Sequence, residues 1–501
     1  MIVKVLQILL MSVSASVFAG DGGTVAAQLR EKADRRIAAI RETPNLIVPK
    51  GSATYYVSAR SGNDSSDGRS PDRAWRSSAR LNRQKLPRGA YVLFERGGVY
   101  RGTVMACPGV TYTAYGVGEK PCICGSPKDG ADPALWKRTD NPRVWAFEIG
   151  RQDVGTLVFD NGASHAIKIV VRTDKKTGRH YNKFTGRRFE SYRDLDGDLH
   201  FWHDLSPEGK GLLYLYSVEN PGKRFASIEF NVKCHGLRAS CCPDVTIDNL
   251  SFRNIGVHGV RADGMVRNLT VRNCAFEWIG GSIHGEGIFG RDYPTRLGNG
   301  IEVWGGCDGY VVSNCCFRQV YDAGVTHQFN IPESDGQKRY DQRHIRYLDN
   351  VFEACNYSIE YFLTARNGNP SLMEDVLIRG NLMLDAGKGF CSQRPDRGES
   401  AHIKARYRND RNRAKDFRIC GNTMAFSEDL LVEVCSGLKS ADGTSSLPRF
   451  EGNEVWGCAG RTFGAVSDAS GERKPLDSKA ERLLNRYGVG NRVRVVECLK
   501  P

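Results

Sequence analysis

Three carboxylates and a histidine carry most of the chemistry this sequence can offer. Glu302 follows Ile301, Glu360 follows Ile359, Asp322 follows Tyr321, and His327 closes the run Val325-Thr326-His327. Two carboxyl groups can divide proton donation and proton removal across a glycosidic bond, and a histidine exchanges protons near neutral pH. Around them stand groups suited to holding a sugar. Arg261, Asp263, Gln328, Lys404 and Arg406 supply charges and hydrogen bonds, and Trp304 and Phe362 supply flat apolar faces. The plainer reading stands beside this one: an outward Glu is solvated surface, Tyr321-Asp322 closes a turn, and His258 and His327 pack.

These residues are far apart in the chain, so a scaffold must gather them. From about Val245 the chain repeats an apolar strand, an Asn followed closely by an apolar residue, and a second strand. The units run through Asn249, Asn273, Asn314, Asn350, Asn381, Asn422 and Asn453, at spacings of 24, 41, 36, 31, 41 and 31. A minimum near two dozen with variable insertions fits the coils of a β-solenoid, in which loops swell without disturbing the stack. The Leu-x-x-Leu-x-Leu frame of leucine-rich repeats is missing, and propeller blades need longer four-strand units.

Aligning the strand after each Asn puts Val260, Ile301, Val325, Ile359, Phe390 and Val432 in one inward column. The next residues then face out: Arg261, Glu302, Thr326, Glu360, Cys391 and Glu433. A further outward column, two residues on, holds Asp263, Trp304, Gln328, Phe362, Gln393 and Cys435. Glu302 and Glu360 are then two coils apart, about 9.6 Å along the backbone. Inverting glycosidases separate their carboxyls by roughly 6.5–9.5 Å, and retaining ones by about 5–5.5 Å. Asp322, before the intervening strand, offers the nearer carboxylate, and Arg261 is placed to keep Glu302 ionised or to bind an anionic substituent.

The remaining composition narrows the class. The chain has 501 residues and a net charge of +14, which favours an acidic partner. Met1 to Gly20 has Lys4, an apolar stretch from Val5 to Val13 and small residues before Ala19, the pattern of a secretory signal cleaved near Ala19. An exported protein meets polysaccharide rather than nucleic acid, and no later segment is long and apolar enough for an integral membrane span. Arg394 to Arg418 is rich in Arg and Lys, and reads as a loop inserted between coils, either solvated or a wall for an anionic chain. The sixteen cysteines lack zinc-ligand spacing; some disulfides are expected, with no readable pairing. Asp194-Leu195-Asp196-Gly197-Asp198 starts like a calcium loop but has Leu199 at the sixth position, so an EF-hand is rejected.

Several segments resemble secreted right-handed parallel β-helix proteins of the pectin-lyase-like superfamily. Tyr55-Tyr56-Val57-Ser58 with Ser61-Gly62-Asn63-Asp64 resembles their opening, and Val92 to Gly102 looks like the strand that follows. Phe201-Trp202-His203-Asp204 with Leu213-Tyr214-Leu215-Tyr216 is similar to the hairpin before the main coils. Asn299-Gly300-Ile301-Glu302-Val303-Trp304 and Tyr321-Asp322-Ala323-Gly324-Val325 look like coils of bacterial carbohydrate-active members. The likeness spans roughly residues 54 to 465. It implies an all-β, right-handed parallel β-helix that acts on polysaccharide.

The expected organisation is a signal peptide over 1–19, a capping helix and linker over 20–50, and a β-rich region with the first coils over 51–244. The β-helix core follows over 245–470, with a C-terminal capping segment over 471–501. The expected function is hydrolysis of an anionic or plant/algal-type polysaccharide, with Glu302, Glu360, Asp322 and His327 catalytic. Arg261, Asp263, Trp304, Gln328, Phe362, Lys404 and Arg406 bind substrate. Two alternatives stay open: a lyase using Lys404, Arg406 or His327 as base, and a non-catalytic glycan-binding surface protein. No cofactor is required, calcium of a non-EF-hand kind is an open alternative, and the oligomeric state is unread.

Overall fold

The computed structural model describes residues 21–174, 176–183, 185–285, 294–328, 341–364, 371–394, 399–408, 413–435, 446–467 and 472–498. The expected signal segment lies outside these residues, as do Arg397 and Arg411 of the basic segment. Parallel strands stack in three columns and close on themselves as a parallel β-helix. The first face has eleven strands, running from Thr54–Val57 through Val266–Arg272 and Gln342–Leu348 to Gly488–Val489. The second runs through Ser251–Ile255, Ala275–Ile279, Leu382–Ala386 and Thr423–Ser427. The third holds Val260–Asp263, Ile301–Trp304, Ala401–Arg408 and Val432–Cys435. Two long strands, Cys316–His327 and Val351–Thr364, bend from the second face into the third.

The bends explain the Asn repeat, and they divide it in two. Between the first and second faces each coil needs one residue in the left-handed region, where Asn, Asp and Gly are the tolerated types. Asn249, Asn273, Asn314, Asp349, Gly380, Gly421 and Gly452 fill that column, with φ from 49° to 69°. The residue after it points inward, and there Asn350, Asn381, Asn422 and Asn453 form a buried amide ladder. Each side-chain NH2 donates to the next coil's amide oxygen at 2.9–3.0 Å, ending on Asn491. The single Asn column read from sequence is therefore two columns one residue apart. Cys274 and Cys315 take the ladder position in the earlier coils, where the Cys315 N–H donates to Asn350 at 2.9 Å.

Inside, side chains from successive coils stack on like neighbours. Phe252, Phe276, Phe317 and Phe352 lie with ring centres 4.8–4.9 Å apart and planes within 9°, which is the coil spacing itself. On the third face Val260, Ile301, Val325, Ile359 and Val432 form the inward column through direct pairings. Phe390 does not belong to it: Ile403 pairs with both Ile359 and Val432 instead. Phe390, Cys391 and Gln393 form a short 3-10 helix, Gly389–Gln393, outside the barrel. The basic segment is correspondingly no inserted loop. Its middle is the strand Ala401–Arg408 of the third face, and its end is Arg413–Cys420 of the first.

Three appendages complete the fold. The helix expected near the N-terminus spans Asp21–Arg41 and covers a flank: Ala26, Ala33, Ile37 and Ile40 pack on Ala275, Cys316, Val351 and Leu382 of the second face. The first coil is closed instead by the segment between Thr54–Val57 and Tyr91–Glu95. There Trp75 stacks on Tyr55 at 5.3 Å and donates its indole N–H to the Ser66 carbonyl at 3.0 Å. Gly68 is required at that point, because a Cβ would fall 2.4 Å from the Trp75 ring. A five-stranded sheet containing Val144–Glu148, His200–Asp204 and Leu212–Tyr216 packs on the side of the barrel. A disulfide joins Cys458 to Cys498. Among the described residues no helix is long and apolar enough to cross a membrane.

Candidate functional site

The third face gathers the carboxylates. Glu302, Thr326 and Glu360 follow the inward residues Ile301, Val325 and Ile359, so they stand in one column on successive coils. Lys404 and Glu433 continue it. Trp304, Gln328, Phe362 and Arg406 form the neighbouring column. Asp322 sits at the bend that leads into the intervening strand. All three acids point away from the barrel interior, yet they are not solvated surface: Glu302, Asp322 and Glu360 are 6%, 5% and 4% exposed.

Each acid has a different environment. Glu302 Oε2 accepts from the Asn299 side-chain amide and from Thr326 Oγ1 at 3.1 Å. Burial raises the Glu302 carboxyl to about 8, with the negative charges of Asp322 and Glu360 adding to the rise. Glu302 is thus a protonated acid at neutral pH. Burial also raises Glu360, but Arg406 opposes it, donating from Nε to Oε1 at 2.9 Å. Gln328 reaches the other Glu360 oxygen at 3.4 Å. Asp322 is ion-paired with Arg394, both side chains buried. The Tyr357 hydroxyl accepts from Arg406 at 3.4 Å, and burial lifts its phenol to about 12. Neighbouring carboxyls in such different settings, one bonded by the neutral Asn299 and Thr326 and two facing guanidinium groups, can serve as acid and base together.

Some sequence expectations move. Arg261 does not hold Glu302 ionised; its Nε donates to both oxygens of Asp263 at 2.8 Å. His327 is not on the carboxylate face. Two residues after inward Val325, it points into the barrel, stacks on Tyr361 at 5.5 Å and bonds the Tyr347 hydroxyl at 2.8 Å. Burial lowers its imidazole to about 3, so it stays neutral. We therefore expect His327→Phe to keep kcat/KM within about twofold, and to lose about 1–3 kcal/mol of stability through the lost bond to the buried Tyr347 hydroxyl. Urea melts beside a rate assay check this; a tenfold rate loss in folded protein returns His327 to the site.

Residues the sequence reading passed over complete the arrangement. Asn299 lies three residues before Glu302 in a segment already conspicuous, and its backbone N–H donates to His258 Nδ1 at 3.0 Å. His258 stacks on His235 at 5.3 Å, so it belongs next to this face where His327 does not. Arg394 had no local signal as a partner for Asp322. It is delivered by the Gly389–Gln393 turn, which the side sheet grips through Lys168 N–H to Gln393 Oε1 at 3.2 Å and Gln393 Nε2 to the Ala166 carbonyl at 3.0 Å.

The acidic run from Asp194 to Asp198 is spoken for. Asp194 caps its own turn, accepting from Glu190 and Ser191, while Asp196 pairs with Arg187 and Asp198 with Arg224. Among the described residues no three His, Cys, Asp or Glu side chains converge as metal ligands. A cavity of about 560 Å³ on the side sheet is lined by Leu135, Phe147, Ile149, Leu212, Lys128 and Glu148, a set without paired acids.

No protein-family model matches the chain, and no curated protein matches its sequence. Solved structures give distant likenesses. A glycoside hydrolase aligns with TM-score 0.39 and 11% identity, covering 87% of this chain and 99% of that one. A GH136 lacto-N-biosidase from Eubacterium ramulus aligns with TM-score 0.30 and 12% identity, covering 88% and 68%. Pectate lyase Pel9A aligns with TM-score 0.30 and 12% identity, covering 83% and 71%. The strand pairing of this chain by itself defines its parallel β-helix.

Proposed function

We propose that this protein hydrolyses a glycosidic bond in a polysaccharide, and that it works after export. The observation that carries the reading is the set of three buried carboxyls on neighbouring coils, one held protonated and two held by arginines. Glu302 donates its proton to the glycosidic oxygen, since both hydrogen bonds it receives fall on Oε2 and leave Oε1 to carry the proton. Glu360 or Asp322 removes a proton from the attacking water. The two-coil step from Glu302 to Glu360, about 9.6 Å along the backbone, suits an inverting pair, and Asp322 offers the closer alternative. Trp304 and Phe362 give the sugar flat faces in the neighbouring column.

Elimination by a lyase has one supporting observation. Burial brings Lys404 down to about 8, near the range of a useful base. Its ammonium is held by Glu433, however, and Arg473 braces that carboxylate at 2.9 Å. Hydrolysis is therefore the stronger reading.

A panel of polysaccharides, scored for new reducing ends and for ultraviolet-absorbing unsaturated ends, separates the two. Hydrolysis gives only the first. With a substrate in hand, kcat/KM should fall about tenfold per pH unit above about 8, as Glu302 loses its proton. Unsaturated products, or an alkaline limb that survives in Glu302→Gln, would end the proposed assignment.

A further inference from the structure

The positive charge of this protein is not spent on the carboxylate face. There Arg261 is matched by Asp263, Arg394 by Asp322, Arg406 by Glu360, and Lys404 with Arg473 by Glu433. The segment that closes the first coil is different. Residues 60–88 contain eight Lys and Arg against three Asp and no Glu, a balance of 8 − 3 = +5. Arg60, Arg73 and Arg88 pair with Glu95, Asp67 and Asp244. Arg69, Arg76, Arg83 and Lys85 are exposed and have no ion-pair partner among the described residues.

Two cations of the segment, Arg69 and Arg80, stand on a rigid base. The Arg69 guanidinium lies 4.2 Å over the Tyr55 ring, and Arg80 lies 5.4 Å over Trp75 while its Nε donates to the Asp64 carbonyl at 2.8 Å. Tyr55 and Trp75 are themselves stacked and buried. Planar guanidinium groups parked on aromatic faces lose little freedom when an anion arrives, and they match carboxylate or sulfate oxygens in pairs.

The segment also abuts the catalytic face. Asn82 accepts from the Met105 N–H at 2.8 Å and donates to the Thr103 carbonyl at 2.8 Å, clasping Val104–Met105. That strand is the first of the third face: Val104 pairs with Leu237, Leu237 with Val260, and Val260 with Ile301. Three coil steps, about 14 Å, separate it from Glu302. A sugar chain lying along the third face would cross exposed Met105 and reach Arg83 beside Asn82.

We propose that the first-coil cap is an anchoring site for an anionic polysaccharide, holding carboxylated or sulfated sugars about three coils from the acids that cut. The choice of a polysaccharide over other polyanions rests on the hydrolase reading; the binding itself does not. The test titrates the whole protein with dextran sulfate, with unmodified dextran of equal length, and with polygalacturonate. We expect dextran sulfate and polygalacturonate to bind and dextran not to. Affinity should fall at least about tenfold as salt rises from about 50 to about 500 mM. Changing Arg69→Gln, Arg76→Gln, Arg83→Gln and Lys85→Gln together should weaken binding at low salt about tenfold and leave the protein folded, since all four are exposed and only Arg69 loses a contact, the one over the Tyr55 ring. Glu302→Gln should bind as the parent does, so loss of chemistry and loss of anchoring are read separately. Equal binding by the fourfold variant, equal binding of dextran, or tighter binding of phosphatidylglycerol vesicles or single-stranded DNA than of either anionic glycan would overturn the proposal.

Discussion

Glu302→Gln should reduce polysaccharide cleavage by about 10²–10⁴-fold, the usual worth of a positioned general acid. The substitution keeps the shape and the bonds from Asn299 and Thr326, and removes only the transferable proton. It should not unfold the protein, and its effect on stability has a definite sign. The folded-state value of Glu302, about 8, lies above its ordinary 4.5. Below pH 4.5 both states hold the proton and the group is neutral in its effect. Between 4.5 and 8 the unfolded chain releases the proton more readily, so wild-type stability declines with rising pH, and the loss is complete above 8. A neutral Gln has no such penalty. The variant should therefore gain on wild type across that window, on the order of a few kcal/mol by its alkaline end. Paired thermal melts from pH 4 to 9 check the stability half, and initial rates check the other. A variant with wild-type turnover removes Glu302 from the mechanism; one whose melting curve tracks wild type at every pH shows that the carboxyl is not held neutral.

The second large effect concerns architecture. Asn381→Ala should cost about 3–5 kcal/mol. Its amide donates to the Tyr347 carbonyl at 2.9 Å and to Asn422 at 2.9 Å, and it accepts from the backbone and side chain of Asn350 at 3.0 Å each. All of this is buried, so the partners find no water when the amide is gone. Asn314→Gly is the matched control. Asn314 is exposed and sits in the left-handed column, which Gly enters freely, so the change should stay within about 1 kcal/mol. Urea midpoints for the two variants decide the matter: similar losses would mean that the ladder and the turn column are energetically one feature.

That pair of asparagines also marks where reading the sequence stops. Asn suits a left-handed turn and a buried amide ladder equally well, so spacing alone merged Asn314 and Asn350 into one column, although their φ requirement and burial differ. What the sequence determined by itself was local. Alternation along each strand placed Val260, Ile301, Val325 and Ile359 inward and Glu302 and Glu360 outward, because side chains alternate with a period of two whatever the neighbours are. The Asn, Gly and Asp punctuation announced the coils, because turn conformations select those residues on the spot. Where the chain left this pattern, at Gly389–Gln393, the alignment took Phe390 for Ile403, and nothing local marked the detour. Tertiary structure alone decided the chemistry of the site. The proton affinity of a carboxyl depends on how much water and which charges surround it, and here those surroundings come from far along the chain. Thr326 reaches Glu302 across 24 residues, Arg406 reaches Glu360 across 46 and Arg394 reaches Asp322 across 72. Stacking buries two apparently solvated glutamates, and gives one the neutral partners Asn299 and Thr326 and the other the guanidinium of Arg406, a difference that exists only once the coils are in place.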